Sequence, residues 1–184
     1  MLAQLPRSGA APAFRSYEDW EAFIDRYVRL GVAQDYTRFW WDSRPHPKFG
    51  TLEVRMPDQP TSLAVTAAFT ALIQALAVTV LEAEPPEHDP AARGFYQQNR
   101  WGALRFGLDA ELFHPSGERV GKARELAKEL IDLVRPVAKR LGTDELIAFD
   151  LEQSEGDLQR EARGNGGLKA ACADLVERTL ESAR

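Results

Sequence analysis

The chain has 184 residues and a formal net charge of −5, from 23 Lys and Arg against 28 Asp and Glu, with 44% hydrophobic residues and one cysteine. That length makes one domain or two small ones, burying roughly 70% of the surface the unfolded chain exposes, so no disulfide or metal staple is needed. An ordinary apolar fraction and mild acidity exclude a disordered chain, a collagen-like fibre, a disulfide-stapled miniprotein and a nonspecific nucleic-acid binder, which needs clustered cations.

The first fourteen residues contain Pro6 and no apolar run long enough for a signal peptide, and Cys172 has no partner for an intramolecular disulfide. Both point to a reducing, cytoplasmic setting. Ser16 opens an amphipathic helix, with Trp20, Phe23, Ile24, Tyr27, Val28 and Leu30 at helical spacing and Gly31 as its stop. The period then changes to two. Residues 37–42 and 51–56 read as neighbouring strands, at least one of Trp40 and Trp41 packing in the core. In the second strand Leu52, Val54 and Met56 share a face expected to pack against helices, while Thr51, Glu53 and Arg55 share the other. The segment between, Arg44-Pro45-His46-Pro47-Lys48-Phe49-Gly50, is predicted to be a rigid loop, because its two prolines lack a ladder donor.

Residues 59–81 form a 23-residue stretch without a charge, about the length needed to span a bilayer. Its flanks, Asp58, Glu82 and Glu84, are acidic, and Thr66, Thr70 and Gln74 recur four apart. It is therefore read as the buried helix of a soluble protein, capped by Thr61 or Ser62, and no membrane partner is expected. Residues 82–89 form an acidic loop holding Pro85 and Pro86. A helix follows from Asp89-Pro90 to Phe106, stopped by Gly107, and residues 112–117 make a short strand or turn. From Val120 the chain reads as helical throughout: one long helix kinked at Pro136, then residues 143–153, 157–163 and 168–180, separated by Gly156 and by Gly164-Asn165-Gly166-Gly167. The expected division is a sheet-and-helix part, residues 1–115, and a helical part, residues 116–184, packed as one structural domain.

The segment richest in chemistry is residues 40–58. A strand presents Glu53 and Arg55 together, a hard carboxylate suited to Mg²⁺ beside a guanidinium fork suited to phosphate oxygens. Spacing alone equally admits, and on base rates favours, a cross-strand ion pair on a wet face. His46, His88 and His114 lack metal-ligand spacing, His46 reading as a loop hydrogen-bonder or a rim residue. Cys172 is read as a small buried hydrophobe, and the Thr66, Thr70 and Gln74 stripe as helix-to-helix hydrogen bonding. Gly164 to Gly167 lacks the strand, helix and lysine of a phosphate loop. Arginines outnumber lysines 18 to 5, a bias that a GC-rich genome produces without function.

Pro6-Arg7-Ser8-Gly9, Trp40-Trp41-Asp42-Ser43-Arg44-Pro45-His46-Pro47, Gly50-Thr51-Leu52-Glu53-Val54-Arg55, Asn99-Arg100-Trp101 and Arg105-Phe106-Gly107-Leu108-Asp109 occur in this order. Together they resemble the C-terminal half of the bacterial carboxylate-amine ligases called glutamate-cysteine ligase type 2. That family is similar in turn to glutamine synthetase, whose metal-binding strand pattern Glu-x-Arg-x-Pro-Asp matches Glu53 to Asp58, although Thr51 stands where that pattern has an arginine. The resemblance implies ATP and Mg²⁺ as cofactors, phosphorylation of the γ-carboxylate of glutamate, and displacement of phosphate by cysteine or another amine. It implies Glu53 as a Mg²⁺ ligand and Arg55 and Arg44 as catalytic cations on the γ-phosphate or substrate carboxylate. Asn99, Arg100 and Arg105 would be further nucleotide contacts, with Arg7 and Ser8 weaker candidates.

Family members are about twice this long and carry further metal-binding carboxylates in the other half. Glu82-Ala83-Glu84 is no substitute, since it abuts two prolines. The expected fold is thus α+β: a small antiparallel sheet, part of a glutamine-synthetase-like sheet, packed by helices, with an all-helical C-terminal third. A sheet so small has open edges, so homodimerisation or pairing with a separate N-terminal half is expected. A non-catalytic remnant that keeps the fold is the alternative.

Overall fold

The computed structural model describes residues 6–84 and 89–183. His88 and the Pro85-Pro86 pair of the expected acidic loop lie outside the described residues. The architecture is α+β, with short two-stranded ladders in place of one sheet. The chain forms two compact units, residues 1–57 and residues 58–184.

The first unit is built on an aromatic core. Strand β1 (Ser8–Gly9) leads to helix α1 (Tyr17–Arg29), whose N-cap Ser16 accepts from the Asp19 N–H. A 3-10 turn, Tyr36–Arg38, follows, and strand β2 (Trp40–Trp41) pairs parallel with β1. Trp20, Ile24, Ala33, Phe39 and Trp41 are buried together, Phe39 completely. Arg7 has φ 64°, a left-handed conformation rare outside glycine. Its guanidinium donates to the Val32 and Arg38 carbonyls at 3.0 and 3.2 Å and lies over the Phe39 ring, so it ties the N-terminal segment to this core.

Strands β3 (Ser43–His46) and β4 (Thr51–Val54) complete the unit as an antiparallel hairpin. Here the structure corrects the expected rigid loop: Arg44, Pro45 and His46 are ladder residues. The register explains how a proline is accommodated. The Arg55 N–H bonds to the Asp42 carbonyl at 2.8 Å, so residues 42, 44 and 46 occupy the hydrogen-bonding positions and Pro45, opposite Leu52, does not. A second correction concerns the apolar face of β4. Leu52 and Met56 are both 58% exposed, so that face lacks the helices expected against it.

The second unit pairs helix α2 (Leu63–Glu82) with helix α4 (Ala123–Leu141). Ala71 and Ala75 meet Val134, Val137, Ala138 and Ile147 in its core, small residues that let the helix backbones approach closely. Helix α3 (Ala92–Phe106) ends at Gly107, φ 57°, and lies against the antiparallel ladder of β5 (Glu111–Phe113) and β6 (Val120–Lys122). The helical reading from Val120 is therefore corrected over its first three residues. Residues 143–153 also differ, since they hold only a 3-10 turn, Asp144–Leu146. Pro136 sits inside α4, which runs through it as one helix. Helix α5 (Glu155–Ser182) is broken at Gly166 and Gly167, the latter at φ 72° and ψ −165°, where the glycine-rich sequence placed a connection.

Two burial expectations fail in this unit. Helix α2 is long and apolar enough to cross a membrane by length and composition, yet only Ala68, Ala71 and Ala75 of it are buried. Leu63, Val80 and Leu81 are exposed, and the Thr66 and Thr70 hydroxyls bond the Ser62 and Thr66 carbonyls of their own chain segment instead of another helix. Cys172 is exposed too, because the inward face of α5 is the one holding Ala171.

Candidate functional site

Cross-strand register brings three of the expected site residues together. Arg44 lies directly opposite Glu53, and Arg55 follows two residues along β4, so all three project from the same face of the hairpin. The Arg44 guanidinium Nη2 donates to Glu53 Oε2 at 2.5 Å. Its Nη1 donates to the Thr37 and Phe39 carbonyls, each at 3.1 Å. Nε of Arg44 is buried without a partner, and the whole side chain is 9% exposed. Arg55 Nε stands 3.7 Å from the other oxygen, Glu53 Oε1, with 29% of the Arg55 side chain and 38% of the Glu53 side chain in contact with solvent. The two guanidiniums are thus unequal. Arg44 is a buried strut that fixes one carboxylate oxygen, whereas Arg55 flanks the other at the surface.

The neighbourhood of this face is aromatic and polar. The Tyr36 hydroxyl is 3.2 Å from His46 Nε2, the Phe49 ring stacks on His46, and the Arg44 guanidinium lies over Tyr36. His46 is thereby a hydrogen-bonder at the hairpin end. The Thr37 hydroxyl, then its N–H, hold the Asp35 carboxyl below the usual carboxylate range. Asp42, 7% exposed, is buried in the same unit. Among the described residues no three His, Cys, Asp or Glu side chains gather as a metal cage. Glu53 offers one hard oxygen donor, which fits Mg²⁺ if phosphate oxygens and waters complete the six positions that ion takes.

The candidates in the second unit have other tasks in view. The Asn99 amide is fully engaged by Phe113, donating to its carbonyl and accepting from its N–H, both at 2.7 Å, so it clamps α3 to β5. Arg105 is exposed and lies over the Phe106 ring; Arg100 is exposed on the same helix. Sequence reasoning missed one polar cluster altogether. The Thr61 hydroxyl donates to Glu155 at 2.5 Å, and Arg178 reaches Thr61 at 3.2 Å, Glu155 at 2.7 Å and Asp174 at 2.9 Å. Burial works against ionisation of Glu155, but the Thr61 and Arg178 bonds outweigh it and leave its carboxyl below the ordinary value. Nothing local signals a set whose members are 94 and 117 residues apart.

Residues 1–155 match the family model of glutamate-cysteine ligase family 2. A protein of Rubrobacter xylanophilus named "Putative glutamate–cysteine ligase 2-3" is 43% identical over 180 residues, covering 95% of this chain and 48% of its own length. A second from that organism, "Putative glutamate–cysteine ligase 2-1", is 42% identical over 82% of this chain and 40% of its own. A Roseiflexus protein named "Putative glutamate–cysteine ligase 2" is 31% identical over 98% of this chain and 50% of its own. The chain spans about half the length of the curated relatives it matches.

Proposed function

The chain belongs to glutamate-cysteine ligase family 2, and on that premise we propose that it supplies one side of an ATP-dependent carboxylate-amine ligase site. The reaction is amide formation between the γ-carboxylate of glutamate and an amine such as cysteine, through an acyl phosphate, in the cytoplasm. The observation that carries this reading is the unequal trio on the hairpin, with Glu53 anchored by buried Arg44 and flanked by half-exposed Arg55. Phosphoryl transfer asks a protein mainly for positioned charge around oxygens that accumulate it, and this trio is such a device.

In the proposed site Glu53 holds Mg²⁺, which when bound neutralises phosphate charge. Arg55 contacts the γ-phosphate or the substrate carboxylate, its fork suited to paired oxygens. Arg44 keeps the Glu53 carboxylate in one orientation and adds a second positive charge behind it. Within the second unit, taken by itself, Arg100 and Arg105 are proposed as nucleotide contacts, which Asn99 can join only by giving up its bonds to Phe113. The remaining carboxylates come from a separate N-terminal half joined through an open strand edge.

The test is phosphate release from Mg-ATP with glutamate and cysteine, by the chain alone and mixed with an N-terminal half taken from a full-length relative. Activity is expected of the mixture, with Glu53→Ala and Arg55→Ala reducing it at least about 100-fold, as loss of a transition-state charge contact does. An inert mixture that still forms a stable complex sinks the ligase reading. One observation favours the alternative, a binding module without catalysis: Glu53 Oε2 is already taken by Arg44. Mg-ATP binding without phosphate release in the complete pair would select it.

A further inference from the structure

Amide formation from an acyl phosphate requires a proton acceptor, and the Arg44, Glu53 and Arg55 trio does not supply one. An amino acid's amine is mostly ammonium at neutral pH and becomes a nucleophile only after losing a proton. The site face of the hairpin sets residues 42, 44 and 46 opposite residues 55, 53 and 51. Arg44 and Arg55 are permanent cations, and the Thr51 hydroxyl is not basic. Asp42, 7% exposed, is closed to a substrate, and Glu53 Oε2 is held by Arg44. His46 is the remaining group of the face, and imidazole is the side chain suited to accepting protons near neutrality.

The setting of His46 is that of an oriented base. It is half-buried, as is Tyr36. The Tyr36 hydroxyl stands 3.2 Å from His46 Nε2 and 3.4 Å from Nδ1, so it engages one ring nitrogen and leaves the other. Phe49 stacks on the imidazole with ring centroids 4.5 Å apart, and the Arg44 guanidinium lies over the ring of Tyr36. A base held in place by a third group is the arrangement by which side chains activate nucleophiles. His46 lies two residues, roughly 7 Å, along β3 from Arg44. It stands opposite Thr51, on the side of Glu53 away from Arg55.

We propose that His46 is the proton acceptor for the incoming amine and that Tyr36 is its positioning residue, which rests on the ligase reading above. The free ring nitrogen takes one proton from the ammonium. The amine lone pair then forms the C–N bond to the γ-carbonyl carbon as the C–O bond to phosphate breaks. Phosphate leaves with that electron pair and takes the second proton from the nitrogen, and the imidazolium returns its own proton to solvent.

Changing the amine tests this in the mixture with the N-terminal half. Hydroxylamine is a free base at neutral pH and needs no acceptor before attack, whereas cysteine does. His46→Gln should slow cysteine-dependent phosphate release about 100-fold, the low end of what a positioned base contributes, and hydroxylamine-dependent release less than about 3-fold. Tyr36→Phe should show the same selectivity with a smaller loss on cysteine. Equal losses with the two amines, or no loss with cysteine, in a His46→Gln chain that still forms the complex would overturn the proposal and place the acceptor in the other half. If His46→Gln does not pair with that half, Tyr36→Phe decides by the same comparison. An unaltered mixture inert with both amines overturns the ligase reading and this inference together, while an active mixture without the selectivity overturns this inference alone.

Discussion

Arg44 and Arg55 are the same residue type on one hairpin face, and burial alone gives them different work. Arg44→Met leaves the Thr37 and Phe39 carbonyls, the second of them buried, and one carboxylate oxygen without their donor. Because hydrogen bonds to a charged group contribute about 1.5–3 kcal/mol each, it should cost at least about 2 kcal/mol in urea unfolding. Arg55→Ala should stay within about 0.5 kcal/mol of wild type in the same measurement, since it removes a half-exposed pair 3.7 Å long. Equal losses would contradict the division between strut and surface cation. Period-two spacing was enough to place Glu53 and Arg55 side by side. The anchoring of Arg44 was hidden, because its partners are the backbone carbonyls of Thr37 and Phe39, which any sequence supplies.

At the scale of elements, helix starts were the most legible feature. Ser16 and Ser62 cap α1 and α2 as their side-chain chemistry suggests, whereas α5, read as starting at Asp157, begins at Glu155 behind a reciprocal capping box of Ser154 and Asp157. The Ser154 hydroxyl, then its N–H, then Arg160 hold the Asp157 carboxyl at about 2 instead of 3.8. A carboxylate with a lowered folded-state value favours folding above its unfolded value. That contribution should fade as pH falls from 3.8 toward about 2, and Ser154→Ala should flatten the corresponding drop in thermal midpoint. Gly167→Ala should destabilise by about 1–3 kcal/mol, because ψ −165° at φ 72° is open essentially to glycine alone. A neutral result by thermal unfolding would mean that the break relaxes. The prolines were less legible. Pro45 entered a strand because its missing donor falls between ladder bonds, and Pro136 entered a helix, so a breaker residue marks what is lost and not where the element ends.

For the whole molecule, the fold class followed from the alternation of periods, but burial did not follow from hydropathy. Apolar residues of α2 and β4 were assigned to a core because hydrophobic surface is normally covered. In a chain spanning about half the length of its relatives, Leu52, Met56, Val80 and Leu81 remain exposed. Leu81, at 83% exposure, should accept Leu81→Lys within about 0.5 kcal/mol in denaturant titration and lower the chain's binding of a hydrophobic dye. A loss of stability beyond about 2 kcal/mol would show that this end of α2 is packed. Phe39, completely buried among aromatic rings, should lie at the other extreme, with Phe39→Ala costing about 3–5 kcal/mol.

The position of Pro45 makes the hairpin a one-way template. On the outer side of β3 the ladder would need donors from residues 43 and 45, and a proline has none to give. On the outer side of β4 the N–H groups of Leu52 and Val54 are both present. Any further strand, whatever chain brings it, therefore joins beside β4, and the sheet grows away from Arg44 on the side where Glu53 and Arg55 stand.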